Sequence, residues 1–352
     1  MLFTIQENVS LAEFTTFKIG GKARFFVRAT GETEIIEALK FAEQNDLDVF
    51  ILGGGSNVLI ADEGFDGLVL QIALLGAQAA LPAMSAKARK NRVFVTAQAG
   101  EDWDEFVEFC VNHNLAGIEC LSGIPGLVGG TPVQNVGAYG QEVSDTIEMV
   151  RVFDRKSKEI LELTNVDCKF AYRTSIFNTT EKNRFVVLAV TYALKQKGEP
   201  KIVYQDLQTF FGSRKPTLAE TRQAVIKIRS DKSMVINSKD INTKSAGSFF
   251  KNPLVSKETF AEMCASWGDM IPSYAVDADT LKIPAAWLIE KSGFQKGYIK
   301  GNVGLSTKHT LAIVNLGNAA AKDVLALKAE IQAQVKKQFG VDLKPEPIFV
   351  GI

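Results

Sequence analysis

The chain has 352 residues, 46% hydrophobic and 23% charged, and its 40 basic and 40 acidic residues leave a formal net charge of zero. A chain of this length buries a large core without disulfides or structural metals and has room for two or three domains. The balanced charge points to neither a nucleic-acid nor an anionic-membrane partner. The opening MLFTIQENVSLAEFTTFKIGGKARFF has no basic head followed by an apolar block, and no stretch is apolar for the roughly 20 residues a bilayer crossing needs, so a cytoplasmic protein is expected. Cys110, Cys120, Cys168 and Cys264 form no C-x-x-C and are expected to be four buried thiols, with no metal site or disulfide framework.

Helical spacing at Ile35, Ala38, Leu39 and Ala42, followed by an apolar run from Val49 to Leu52, predicts helix, strand and then a tight loop at three glycines. Strands are expected from Val58 to Ile60 and from Leu68 to Ile72, so the glycines lie between strands and open no helix. RVFVTAQAG reads as a strand and EDWDEFVEFCVNHN as an amphipathic helix; the turn-rich LSGIPGLVGGTPVQNVGAYGQEV follows. EMVRVFD, KEILEL and FVVLAVTYAL read as an antiparallel meander, which makes the fold α+β rather than a regular β-α alternation. YQDLQTFFG and TLAETRQAVIKIRSDK return to helical spacing, and the polar, irregular text around SKDINTK sets a domain boundary near Arg229. Beyond it come a helix in SKETFAEMCASWG, the strand TLAIVNLG, and a helix with Val324, Leu327, Ile331 and Val335 on one face, stopped by Gly340. The tail VDLKPEPIFVGI ends in an apolar run suited to return as a strand to the first domain.

Gly53, Gly54 and Gly55 permit positive φ and close approach of a phosphate to the main chain, and Ser56 and Asn57 add side-chain donors. The run is no dinucleotide fingerprint, because Val58 stands where G-x-G-x-x-G needs its third glycine, and no P-loop occurs. Alone it is as well read as a ligand-free hairpin. The second segment, SGIPGLVGGTPVQNVGAYG, tips the balance: Gly123, Gly126, Gly129, Gly130, Gly137 and Gly140 fall within 19 residues, beside Gln134 and Asn135. A purely structural loop rarely needs so many uncovered amides, and two such loops suit an extended ligand with a pyrophosphate.

Arg173 in FAYRTSIF reads either as an arginine snorkelling from an apolar patch or as a fork for a carboxylate or enolate. Glu346, between Pro345 and Pro347, reads as a surface turn or as a carboxyl carried into a partly apolar site, where it would donate a hydrogen bond or proton. Ser248 in TKSAGSFFKNP lacks the G-x-S-x-G elbow, and the only base in prospect is a distant His309, which argues against acyl transfer. What remains is hydrogen bonding, or proton donation to a strongly basic carbon with Lys251 and Asn252 supporting the alkoxide.

FTTFKIGGKARFF, LGGGSNVLIADEGFDG, GIPGLVGGTPVQNVGAYGQEV, YRTSIF, GSFFKNP, AAWLIEKSGFQKG and PEPIFVG together resemble, in order and over nearly the whole chain, the UDP-N-acetylenolpyruvoylglucosamine reductases, or UDP-N-acetylmuramate dehydrogenases, of bacterial peptidoglycan precursor synthesis. The resemblance implies an α+β fold: a two-lobed FAD-binding unit of the vanillyl-alcohol-oxidase-like type, with lobes at 1–72 (joined by the tail 341–352) and 73–228, plus a substrate-binding α/β domain at 229–340. It implies that Gly53, Gly54, Gly55, Ser56, Asn57, Gly123, Ile124, Pro125, Gly126, Gly129, Gln134, Asn135, Gly137 and Ala138 hold FAD. NADPH would reduce the flavin, which would pass hydride to the enol-ether carbon of UDP-N-acetylglucosamine enolpyruvate. Ser248 would then protonate the enolate while Arg173 and Glu346 hold the carboxylate and stabilise the enolate, with no histidine partner required. Tyr204 matches the substrate-covering tyrosine of one subclass, and Tyr139, Lys232 and Asn252 match substrate contacts. Ile348 stands where some relatives carry an arginine, and RSDKSMVINSKDINTKSAGS, which contains Lys232, is longer than in the shortest relatives. The implied protein is a monomer acting on a small molecule. The competing classes are a flavin oxidase of the same superfamily, for which His113 lies in no flavin-attachment pattern, and a binding module without chemistry, against which Arg173, Ser248 and Glu346 stand together.

Overall fold

The computed structural model describes residues 4–80 and 91–352. The chain forms two compact units: one holds the residues up to Val9, Arg24–Gly54 and Asp66–Asp231, the other Ser10–Ala23, Gly55–Phe65 and Lys232–Ile352. The chain thus leaves the first unit inside the glycine run, between Gly54 and Gly55. The second boundary lies at the end of the helix Leu218–Asp231. Residues 10–23, 55–65 and the tail cluster with the C-terminal segment.

In the first unit a four-stranded sheet runs in the order Gln6–Ser10, Lys22–Ala29, Phe65–Ile72, Val49–Leu52. The last two are parallel, with Val49 opposite Leu68 and Leu52 opposite Gln71. Parallel neighbours require a crossover, which here carries the glycines. The helix Glu32–Gln44 buries Ile35, Ala38, Leu39 and Ala42, the face that its spacing predicts. The strands Ile147–Asp154, Glu159–Thr164 and Phe185–Gln196 are antiparallel, but they do not form the expected meander. Ile147–Asp154 lies in the middle and pairs with both of the others. Phe185–Gln196 is apolar along most of its length and pairs on its other side, antiparallel, with Arg92–Gln98, so it occupies the sheet interior; Glu159–Thr164, mostly exposed or half-buried, takes the edge.

Asp154, fully buried, receives Arg184 through Nε at 3.0 Å and Nη2 at 2.7 Å, and this pair, against the opposing effect of burial, holds its carboxyl at about 2. The folded value lies below the unfolded value near 3.9, so the stabilisation is complete above about pH 4 and is lost as pH falls towards 2. The amount is roughly 2 kcal/mol once the partial exposure of Arg184 is allowed for. Asp154→Asn is expected to flatten the dependence of melting temperature on pH between 4 and 2; parallel curves for the two proteins would sink the assignment.

In the second unit, small three-stranded sheets (Leu254–Ser256, Thr280–Lys282, Tyr274–Ala275 and Ile299–Lys300, Val303–Leu305, Ile313–Asn315) accompany the helices Lys257–Trp267, Ala285–Lys291 and Ala321–Phe339. The last helix buries Val324, Leu327, Ile331 and Val335 and ends at Gly340, whose φ of 70° is the left-handed conformation a stop requires. Its N-terminus begins after Ala320, a poor cap; the Asp62 carboxylate substitutes by accepting from the N–H groups of Ala321 at 2.6 Å and Lys322 at 3.2 Å. The tail strand Ile348–Val350 pairs in parallel with Val58–Ile60.

Three of the expected four buried thiols are buried; Cys264 is only half-buried. Burial pushes all three thiols up, Cys168 to about 12, so they are inert as nucleophiles. Among the described residues no helix is long and apolar enough to cross a membrane and no group of side chains could hold a metal ion.

Candidate active site

In the first unit the two glycine loops touch. A Cβ placed on Gly54 would lie 2.9 Å from the Gly126 Cα, so backbone meets backbone there. Gly53 and Gly130, by contrast, have nothing within 4 Å of the position a Cβ would take. Close loop packing beside two uncovered glycines is a cradle that side chains would fill, and it fits the pyrophosphate-bearing FAD that the sequence implies.

Core aromatics anchor the second loop. Trp103 and Tyr192 pack at 5.8 Å between ring centroids and turn their polar tips outward: Trp103 Nε1 donates to the Leu121 carbonyl at 3.1 Å, and Tyr192 Oη and Thr131 Oγ1 share a bond of 2.7 Å. Glu119, 1% exposed, accepts from the Gly117 N–H, from Gln141 Nε2 and from the Lys201 N–H, and so ties the two ends of the loop together. Gly123 is clamped on both sides: its N–H donates to Asp104 Oδ1 at 2.5 Å and its carbonyl accepts from Arg229 Nε at 3.2 Å. Burial pushes the Asp104 carboxyl up, but the forked bond from Arg222 and the Gly123 N–H hold it below the usual range. Burial lowers the Arg229 guanidinium, opposed by Tyr139 and Asp104. Sequence reading missed Asp104, Glu119, Arg222 and Arg229. The one signal available was the spacing of Arg222 and Arg229, seven residues apart on one face of a predicted helix.

The glycine-rich segment also corrects the argument from uncovered amides. Besides Gly123, the N–H of Gly129 donates to the Ala99 carbonyl and that of Gly130 to the Leu127 carbonyl. Gly129 is needed for space, since its Cβ would fall 2.6 Å from the Ala99 Cβ. Asn135 is likewise committed: its side chain donates to Glu142 and to the Ala171 carbonyl and accepts from the Ser144 N–H. Ile124, Pro125 and Gln134 are half-buried on the same loop. Gly137–Ala138 pairs with Gln141–Glu142, and the connecting Tyr139 and Gly140 have φ of 48° and 83°. Positive φ at both central residues matches the hairpin twist and puts the Tyr139 ring edge-on to Tyr204 at 5.4 Å. Tyr204 is 46% exposed at the start of the helix Gln205–Phe211. Arg173, at φ 56° in a tight turn, donates from Nη2 to the Gly137 carbonyl at 2.6 Å and from Nη1 to the Asn135 carbonyl at 3.4 Å. It is thus tied to the glycine-rich segment rather than loose on an apolar patch.

In the second unit a ladder of backbone bonds gathers Asn57, Glu346 and Ser248. Asn57 accepts from the Ile348 N–H at its carbonyl and donates from Nδ2 to the Glu346 carbonyl. The Glu346 N–H donates to the Phe249 carbonyl at 2.9 Å, and the Phe249 N–H to the Leu311 carbonyl at 2.7 Å. Phe249 and Phe250 are buried below, so Ser248 stays half-buried above the core. The preceding Gly247 has a φ of 71°, which turns the chain before the serine. One expectation fails here: His309 is not distant, because its Nε2 stands 3.3 Å from Ser248 Oγ. The two are 61 residues apart, on either side of the Phe249–Leu311 backbone bond, and no local pattern announces their meeting. Asn252 Oδ1 accepts from the Ala285 N–H at 2.9 Å and is occupied at a helix start. Gly55, Ser56 and Lys232 also belong to this unit, and Ile348 is exposed on the tail strand. His113 instead closes the helix Trp103–Asn112, its Nδ1 2.8 Å from the Phe109 carbonyl.

The family model for an FAD binding domain matches residues 23–164, and the one for the UDP-N-acetylenolpyruvoylglucosamine reductase C-terminal domain matches 239–350. The UDP-N-acetylenolpyruvoylglucosamine reductase of Thermobifida fusca is 40% identical over 100% of this chain and 99% of its own; that of Streptomyces coelicolor is 42% identical over 97% and 89%. A crystal structure of the reductase from Thermus caldophilus superposes with a TM-score of 0.66 at 24% identity, covering 99% of this chain and 100% of that one, which shows a shared fold.

Proposed function

Since the chain belongs to the UDP-N-acetylenolpyruvoylglucosamine reductase family, an FAD-dependent group of oxidoreductases, we propose that it reduces UDP-N-acetylglucosamine enolpyruvate to UDP-N-acetylmuramate at the expense of NADPH. The observation that carries this reading beyond the family is the ladder that sets Ser248 and Glu346 on bonded neighbours, as a proton donor and a carboxyl serving one enolate require.

Gly53, Gly54 and the segment from Gly123 to Ala138, with Gly55, Ser56 and Asn57, would hold FAD through close backbone approach. Bound there, FAD would supply the hydride chemistry that links NADPH to the terminal enol-ether carbon. Arg173, with its guanidinium oriented by the Gly137 and Asn135 carbonyls, binds the substrate carboxylate as a planar fork. Glu346 stabilises the enolate by hydrogen bonding, and Ser248 Oγ gives its proton to the carbon beside the carboxylate. Asn252 holds substrate through its remaining amide group, and Lys232 through its ammonium. Tyr139 and Tyr204, ring against ring, cover the nucleotide as in the tyrosine-loop subclass. In this reading 1–72 with 341–352, and 73–228, are the FAD-binding parts, 229–340 is the substrate part, and the enzyme works as a monomer in the cytoplasm.

The test is the visible absorbance of the FAD-loaded protein without oxygen. NADPH should bleach the flavin, and the enolpyruvyl nucleotide sugar alone should restore it. Recovery only on admitting oxygen would replace this function with that of an oxidase.

A further inference from the structure

Ser248 needs its hydroxyl proton aimed at substrate, and a serine oxygen carries one proton and two acceptor sites. Its neighbour His309 decides which way that proton points. If Nε2 accepted from Oγ, the proton would be drawn to the imidazole, as in nucleophilic catalysis, and withheld from carbon. If Nε2 carries hydrogen and donates, the serine proton is left for the substrate and the alkoxide formed by its transfer keeps a donor. Resting on the function proposed above, we propose that His309 is a positioning residue for the protonation step: its Nε2–H donates to Ser248 Oγ, aims the hydroxyl proton outward and stabilises the alkoxide.

The surroundings fix the backbone that carries the imidazole. The Ala312 N–H donates to the His309 carbonyl at 3.0 Å, closing a turn; Thr310 Oγ1 donates to Glu290, and the neighbouring Leu311 carbonyl takes the Phe249 N–H. The segments that carry Ser248 and His309 are thus tied to each other one residue beyond Ser248 and two beyond His309. The 3.3 Å separation is at the long end for such a bond, as is common before substrate binds, and shortens when negative charge develops on oxygen. The protons balance without His309 changing its own: the Oγ–H bond breaks, a C–H bond forms on the substrate, and the alkoxide regains a proton from water.

Two measurements test this on the FAD-loaded protein. The chain has only two histidines, so 15N NMR distinguishes them by tautomer. His113, beside a carbonyl, must carry hydrogen on Nδ1, and His309 is expected to carry it on Nε2. In stopped flow, His309→Leu should leave flavin reduction by NADPH unchanged and slow reoxidation by the enolpyruvyl sugar roughly 10- to 100-fold, the range for a lost bond to a charged group, with KM little moved. His309→Gln, whose amide restores an N–H donor, should return the rate to within about 5-fold of wild type, since donation is all the role requires. Leucine reoxidising as fast as wild type, glutamine as slow as leucine, or an Nδ1–H tautomer at His309 would each overturn the inference. If the leucine variant does not fold, the tautomer and the glutamine variant still decide. Failure of the function proposed above shows separately, as a wild-type flavin that the enolpyruvyl sugar does not reoxidise.

Discussion

Replacing Ser248 by alanine is expected to leave flavin reduction by NADPH at its wild-type rate and to slow reoxidation by the enolpyruvyl nucleotide sugar by roughly 1,000-fold, within the range that a positioned general acid supplies. The substitution removes one oxygen from a half-buried position whose backbone is held by the Phe249–Leu311 and Glu346–Phe249 bonds, so the surrounding ladder survives it. Melting temperature should therefore stay within a few degrees, about what a surface-accessible hydroxyl is worth. In the proposed mechanism hydride transfer and protonation separate cleanly, because only the second uses the serine. A variant that reoxidises at the wild-type rate would take the protonation role away from Ser248, and one that fails to be reduced by NADPH would point to damage beyond it.

Gly55→Ala should cost about 3 kcal/mol or more and lower the melting temperature by roughly 6 °C or more. Gly55 has a φ of 62°, and a Cβ there would lie 1.8 Å from the Phe14 carbonyl oxygen, well inside contact distance. That carbonyl cannot retreat easily. Phe14 donates its N–H to the Leu11 carbonyl, Leu11 donates to Gly21, the Thr16 N–H donates to Gly55 itself, and Thr16 Oγ1 donates to the Ser245 carbonyl at 2.6 Å. Gly53→Ala is the matched control, with no left-handed φ and nothing within 4 Å of the new methyl group. It should melt within about 2 °C of wild type before FAD is added, as a surface substitution does. It should also retain FAD less well, because the methyl group occupies the approach to the backbone. Equal melting of the two variants would mean that the glycine run is not packed as described; equal FAD retention in Gly53→Ala and wild type would remove Gly53 from the cofactor site.

Much of the fold was legible because it rests on short-range periodicity. The buried faces of Glu32–Gln44 and Ala321–Phe339 follow from 3.6-residue spacing, and Gly340 ends the latter as a left-handed residue must. The order of strands in the larger antiparallel sheet was not legible in this way. An apolar strand and an amphipathic edge strand differ in burial, but only the assembled sheet shows that Ile147–Asp154 sits between the other two.

The chemistry divides along the same line. Residue types and motif order determined the family and the use of FAD, because both rest on contiguous stretches that the sequence displays in order. Tertiary structure decided what those stretches meet. It committed the Gly123, Gly129 and Gly130 N–H groups to protein acceptors, where sequence reading left them open for a ligand. It tied Gly123 to Asp104 and Arg229, and it brought His309 to Ser248. A hydrogen bond is satisfied by whichever partner the folded backbone delivers to within about 3 Å. Across 61 or 106 residues that delivery depends on the path of the whole chain, which no local spacing encodes.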